Sequence, residues 1–263
     1  GKLLAYNELA YSVIISDSGS YRSERVKGEV LNSQLAEILQ MLHRNEETLY
    51  NEFKITYEDG VYEFNVSGNQ LKRFLADAFG KGSYSQLSYN EKYGFNPATA
   101  GAEQVMQYLK DVFYISDSFE EPIDEQLAYE LVVIRYAMKS TTYSRYKPIV
   151  IAQDVSDRTV AYVNEHLHEY EGIAIEEDMI RKYNDSEYFA ALIGYTGPIS
   201  DAEYEELHAK DSSYHRDDTI GKAGLEQYYE SYLRGDNGEK VVYVDTVGRI
   251  QEVVRSTSPV AGS

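Results

Sequence analysis

No cysteine occurs anywhere in the 263 residues. That excludes a disulfide scaffold, a thiolate zinc site and a cysteine nucleophile. Basic residues are scarce as well: 25 Lys and Arg stand against 44 Asp and Glu, for a formal net charge of −19. Phosphate contacts need clustered Lys and Arg, so nucleic acid is not an expected partner. A polybasic membrane-surface segment is excluded on the same ground. No run approaches the ~20 apolar residues of a membrane span, and no signal peptide is visible. Tryptophan is absent, yet tyrosine occurs 26 times. A ring with a polar tip suits half-buried sheet faces and interfaces. Hydrophobic residues make up 43% of the chain, enough for a packed core, and the length admits one large domain or two modest ones.

Periodicity divides the chain. Leu9 to Ile15 is β-rich and ends at a Ser/Asp/Gly cluster, a strand followed by a turn. Leu35, Ile38, Leu39 and Leu42 form a helical stripe. Phe53 to Tyr57 and Val61 to Val66 flank Asp59-Gly60, a hairpin signature because this dipeptide accepts positive φ. Gln70 to Phe79 reads as a helix ending at Gly80. Val105, Tyr108, Leu109, Val112 and Phe113 make a further helix face, and Leu127, Leu131, Ile134 and Met138 another. Ile149 to Gln153 reads as a strand, and Ser156 is placed to cap a helix running through His166. Gly172 to Tyr183 is extended. Ser200-Asp201-Ala202-Glu203 is a capping box that opens a helix. Strands alternate irregularly with helices and no βαβ repeat appears, so the expected class is α+β.

The most patterned stretch runs from Asp218 to Arg249. Gly221 and Gly224 flank Lys222 and Ala223, and Leu225, Tyr228, Tyr229 and Tyr232 follow at the spacing of a stripe packed on a core. Arg234 falls in the last turn, where a cation complements the helix dipole. Gly235 stands where a left-handed C-cap is expected. A strand, VVYVD, comes next.

This stretch resembles the end of the N-terminal module of class B penicillin-binding proteins, where IGK-x-GLE-x-x-YE-x-x-LRG-x-x-G precedes V-x-VD-x-x-GR. The matching residues are Ile220, Gly221, Lys222, Gly224, Leu225, Glu226, Tyr229, Glu230, Leu233, Arg234, Gly235, Gly238, Val244, Asp245, Gly248 and Arg249. Upstream, Gly172 to Tyr183 resembles PGV-x-IEE-x-x-IR-x-YP, which includes Arg181. Ala190 to Gly197 resembles AH-x-IGY-x-G, which includes Gly194. GKLLA at the start resembles the continuation of DRNG-x-x-LA, so the chain is read as a piece excised from a longer one. Two departures stand out: Ala191 replaces the family's His, and Asn184 its Pro.

Transpeptidase chemistry in that family needs S-x-x-K, then S-x-N, then KTG, in that order. Ser144-Arg145-Tyr146-Lys147 is followed at once by Pro148, which favours an extended pair over the start of a helix. Ser67-Gly68-Asn69 and Ser88-Tyr89-Asn90 precede it, and Lys222-Ala223-Gly224 belongs to the IGKAGLE motif. All are read as short-pattern coincidences, so the chain is expected to be no enzyme and to lack the catalytic domain. His166 and His168, two apart on a helix, face different ways and are read as surface histidines. Glu176, Glu177 and Asp178 in an extended segment point to alternate faces. No metal or cofactor is expected.

The resemblance implies an elongated pedestal or dimerisation module. Residues 1–16 and 144–255 would form its core, 17–143 a mainly helical insertion, and 256–263 a linker or expression remnant. It implies further that the module stands outside the cytoplasmic membrane of a bacterium, on a parent protein anchored by an N-terminal helix. There it would position a transpeptidase domain and contact a membrane glycosyltransferase of the shape, elongation, division and sporulation family. A homodimer is a further possibility. Interface candidates are Arg181, Gly194, Gly221, Lys222, Gly224, Glu226, Glu230, Arg234, Gly235 and Arg249, with Arg181, Glu226 and Arg249 expected to form ion pairs that lock the extended arms to the glycine corner. Two alternatives stay open: a free-standing glycan-binding module using its tyrosines, and a hydrolase using two converging carboxylates.

Overall fold

The computed structural model describes residues 3–17, 21–140, 148–216, 218–236, 238–244, 250–257 and 260. The first part of the chain gives β1 (Ala5–Ile15), α1 (Glu24–Arg44), β2 (Ile55–Glu58), β3 (Val61–Phe64), α2 (Gly68–Ala78), α3 (Ala102–Val112) and α4 (Glu125–Ser140). Then come β4 (Ile149–Ala152), α5 (Asp157–Glu165), β5 (Ile173–Tyr183), α6 (Ser186–Ile193), β6 (Thr196–Pro198) and α7 (Asp201–Lys210). β7 (Thr219–Gly221), α8 (Gly224–Tyr228), α9 (Glu230–Leu233), β8 (Glu239–Val244) and β9 (Ile250–Thr257) complete the order. The strands form one three-stranded sheet, β4-β1-β5, and three two-stranded pairs, β2-β3, β6-β7 and β8-β9. Small sheets among segregated helices make this an α+β fold.

Contacts divide the chain into two units. The larger is built on Tyr11–Glu177, and the smaller draws on Gly1–Ala10, Asp178–Val244 and Ile250–Ser263. In the larger unit the helical stripes do what their spacing predicts. Leu31, Leu35, Ile38, Leu39 and Leu42 of α1 are buried with Met106 and Leu109 of α3 and Leu131 and Ile134 of α4. Each such side chain contributes roughly 1.5–3 kcal/mol by leaving water. Ile151 and Ala152 of β4 and Val163 of α5 are buried in the same cluster.

Local chemistry explains the details. Asp59 and Gly60 both take positive φ, +50° and +81°, and close the β2-β3 hairpin with Tyr57 opposite Tyr62. Gly28 lets α1 lie against the Phe113-Tyr114 turn, since a Cβ there would fall 2.9 Å from the Tyr114 Cβ. Asn32, fully buried, donates to the Phe113 carbonyl at 2.9 Å and accepts from the Arg135 guanidinium at 3.2 Å. That guanidinium also lies 5.6 Å from the Phe113 ring centre.

One cap differs from expectation. The Ser156 hydroxyl makes no capping bond to α5. It donates to Glu47 Oε1 at 2.7 Å, and the Ser156 N–H and the Thr159 hydroxyl donate to the same oxygen at 2.9 and 2.7 Å. A carboxylate from the loop after α1 thus binds the serine at the helix start, where negative charge is favoured. Burial opposes that charge, but the bonds from Ser156 and Thr159 together outweigh it and hold Glu47 below the usual carboxylate range.

Candidate interdomain surface

The glycine-rich motif folds into a corner of the smaller unit. β7 pairs antiparallel with β6, Gly221 opposite Thr196 and Ile220 opposite Gly197. Three glycines allow main chain to touch main chain. Gly194 has φ +80°, and a Cβ on it would fall 1.9 Å from the Ala223 carbonyl oxygen. A Cβ on Gly221 would fall 2.3 Å from the Glu226 carbonyl, and one on Gly224, at φ +60°, 2.5 Å from the Leu192 carbonyl oxygen. No side chain fits such gaps, so the end of α6, β7 and the start of α8 meet backbone to backbone.

Charged side chains tie this corner together. Glu226, nearly fully buried, accepts from Arg181 Nε on β5 at 3.0 Å, and Arg181 Nη1 donates to Asn7 Oδ1 on β1 at 2.9 Å. Glu230 Oε2 accepts from the Gly221 N–H at 2.7 Å, while its other oxygen is buried without a partner. Burial raises the Glu230 carboxyl above its ordinary range, against the pull of the Gly221 bond. Lys222 Nζ lies 2.5 Å from Glu203 Oε2. Glu203 also closes the expected capping box with Ser200 at the start of α7. Lys222 first, and the Ser200 hydroxyl and N–H with it, pull Glu203 down to about 2.

Arg234 sits past the end of α9 in extended backbone and does not serve the helix dipole. Its guanidinium donates to Asp218 Oδ2 at 2.9 Å and to the Ser213 carbonyl at 2.7 Å, and lies 3.7 Å from the Tyr214 ring centre. Gly235 is not among the described residues with positive φ, so it is no left-handed cap. The turn instead is made by Arg234 leaving the helix at φ −66°, ψ 130°. Arg249 and the segment Ser144 to Lys147 lie outside the described residues. His166 stacks on Tyr162, 4.3 Å between ring centres, and His168 is exposed.

The stripe of Leu225, Tyr228, Tyr229 and Tyr232 faces outward, contrary to expectation: Tyr228 is 78% and Tyr232 69% exposed. Periodicity shows which residues share a face, not which face is inside. Here the inner side is taken by Glu226 and Glu230, whose bonds to Arg181 and Gly221 hold the segment the other way round. Sequence reasoning did not find Asn7, Glu203 or Asp218 as partners. Glu203 carried a signal in its capping box; Asn7 carried none. At Asn184, where the family pattern has proline, the N–H donates to the Leu4 carbonyl at 2.8 Å and the side chain to the Leu3 carbonyl at 2.9 Å. Proline could make neither bond.

As chemistry, the corner is a brace. Glu226, Glu203 and Asp218 are bound to Arg181, Lys222 and Arg234, and Glu230 accepts from the Gly221 N–H with one oxygen while the other is buried without a partner. Among the described residues no group of three or more His, Asp and Glu side chains is placed to hold a metal ion. No helix among them is long and apolar enough to cross a membrane.

A family model described as penicillin-binding protein dimerisation domain matches residues 1–263. The chain is similar to the peptidoglycan D,D-transpeptidase MrdA of Salmonella typhimurium, with 34% identity over 130 residues, 49% of this chain and 20% of that protein. MrdA of Haemophilus influenzae is 23% identical over 212 residues, 77% of this chain and 31% of that protein. The chain thus spans only a minor part of the curated relatives it matches. Among solved structures, penicillin-binding protein 2B of Streptococcus pneumoniae strain 5204 is similar at a TM-score of 0.50 and 17% identity. That match covers 100% of this chain and 37% of the other, and the likeness is one of fold.

Proposed function

The chain belongs to the penicillin-binding protein dimerisation-domain family, and on that premise we propose that it is the non-catalytic pedestal of a longer peptidoglycan transpeptidase. It positions the transpeptidase domain and meets a membrane glycosyltransferase of the shape, elongation, division and sporulation family, on the outer side of the cytoplasmic membrane. The observation that carries this reading is the braced corner. Arg181, Lys222, Glu226, Glu230 and Arg234 are turned to internal bonds, which suits a part that must hold shape. The named relatives are D,D-transpeptidases, and bond-making residues would lie in the part of such a protein that this chain does not match.

Fluorescent penicillin tests the reading. The expected result is no covalent label on this chain and label on the longer protein that carries it. Covalent labelling of this chain at Ser144, or at any other serine, would overturn it.

A further inference from the structure

The larger unit holds an open cavity at the place where its sheet splits. Leu49 bridges Ala152, and the Tyr50 N–H donates to the Ile151 carbonyl at 2.7 Å. The chain then leaves β4: Asn51 Oδ1 accepts from the Phe53 N–H at 2.9 Å, a turn that leads into β2. Between that turn and the start of β4 lies a space of about 600 Å³, walled by α2 and α4. Small-molecule sites commonly measure ~300–1,000 Å³. Phe53, Phe74 and Tyr136 form an aromatic wall, each ring 5.0 to 5.6 Å from the other two between centres. Val66, Ile134 and Ile149 add aliphatic surface.

Donors in this lining are left without acceptors. The Tyr136 hydroxyl has no hydrogen-bond partner among the described residues. Burial first, and then the charge of Asp77, raise that phenol well above its ordinary range, so at neutral pH it keeps its proton and donates. Lys54 and Arg73 are exposed in the same lining and form no ion pair among the described residues. Of the two lining acids, Glu52 already accepts from the Tyr50 hydroxyl at 2.8 Å, which leaves Asp77 to oppose an anion. Cations thus balance carboxylates here, in a chain whose net charge is −19.

We propose that this cavity takes a long acyl chain ending in a carboxylate. Size sets the chain: ~150 Å³ already encloses benzene, so a single ring would leave most of the space empty. Against apolar walls each further buried methylene is worth up to about fourfold in affinity. The donors set the head, because a carboxylate only accepts, and charge-assisted bonds are the strong ones. The site lies wholly within the larger unit and does not depend on the pedestal reading.

Fluorescence titration of the whole chain with cis-parinaric acid, kept below micelle formation, decides it. Saturable binding is expected, with myristate displacing the probe at least about tenfold more tightly than octanoate. Ala137→Trp, which fills the cavity from α4, should weaken binding at least about tenfold with unchanged circular dichroism. Tyr136→Phe removes only the hydroxyl and should weaken binding roughly threefold to tenfold, so the test survives if the larger substitution misfolds. Wild type should bind myristate more tightly than tetradecanol, and Arg73→Gln should reduce that preference. Lys81→Gln, at an exposed lysine outside the lining, should leave it unchanged. A wild-type chain that shows no saturable binding overturns the proposal, even if it sediments with phosphatidylglycerol vesicles. So does equal affinity for octanoate and myristate, or for myristate and tetradecanol. Folded Ala137→Trp and Tyr136→Phe variants that bind as wild type would overturn it too. None of these results bears on penicillin labelling, so this inference and the pedestal reading fail separately.

Discussion

In the larger unit α1 alone buries Leu31, Leu35, Ile38, Leu39 and Leu42, while in the smaller unit the described cluster is Ile199, Tyr214 and Ile220. The larger unit is held by area removed from water, which is non-directional and spread over many side chains. The smaller unit depends on three backbone contacts at glycine and on a few directed charge pairs. A unit of the first kind loses stability in steps. One of the second kind fails at single positions, and it can present apolar surface outward because its fold does not need that surface inside.

The largest expected effect is therefore at a glycine. Gly194→Ala forces a Cβ onto the Ala223 carbonyl at positive φ and should cost about 4 kcal/mol or more. Hydrogen exchange should show the smaller unit unprotected and the larger unit intact. Leu39→Ala opens a cavity in the larger unit and should cost about 3 kcal/mol, read from a urea transition; protection there should fall evenly across α1, α3 and α4. Glu226→Ala strands Arg181 and should cost roughly 2–4 kcal/mol, and an unchanged melting temperature would refute its bracing role. Ser200→Ala, at an exposed cap, should cost only about 1 kcal/mol.

Acid and base sharpen the comparison. Glu203 is depressed to about 2 in the folded chain, so its contribution is present above the ordinary value near ~4.3 and is lost as pH falls toward 2. Glu230 is raised, so its contribution is present at low pH and is lost as pH rises through its folded value. Urea transitions between pH 2.5 and 7 should lose part of their acid sensitivity in Glu203→Gln. Glu230→Gln should gain stability relative to wild type at neutral pH.

Legibility in the sequence followed the range of the interaction. The stripes of α1, α3 and α4, the Asp59-Gly60 turn and the Ser200 box are local, and each is recognisable within a few residues. The glycines at 194, 221 and 224 were marked by the family pattern, though the need for them appears only when three segments meet. What the sequence did not reveal lay between distant positions. Glu47 reaches Ser156 at the start of α5 across 109 residues, and Asn7 reaches Arg181 across 174. The outward turn of Tyr228 and Tyr232 was misread for the same reason, since it is decided by bonds from Glu226 to Arg181 and from Glu230 to Gly221.

The central claim is that this chain acts by position. Its most direct test is Glu226→Gln in the proposed longer transpeptidase, assayed for penicillin acylation and for glycan polymerisation by the proposed glycosyltransferase partner. The account predicts unchanged acylation and reduced polymerisation. Lost acylation, or polymerisation that stays at the wild-type rate, would contradict it.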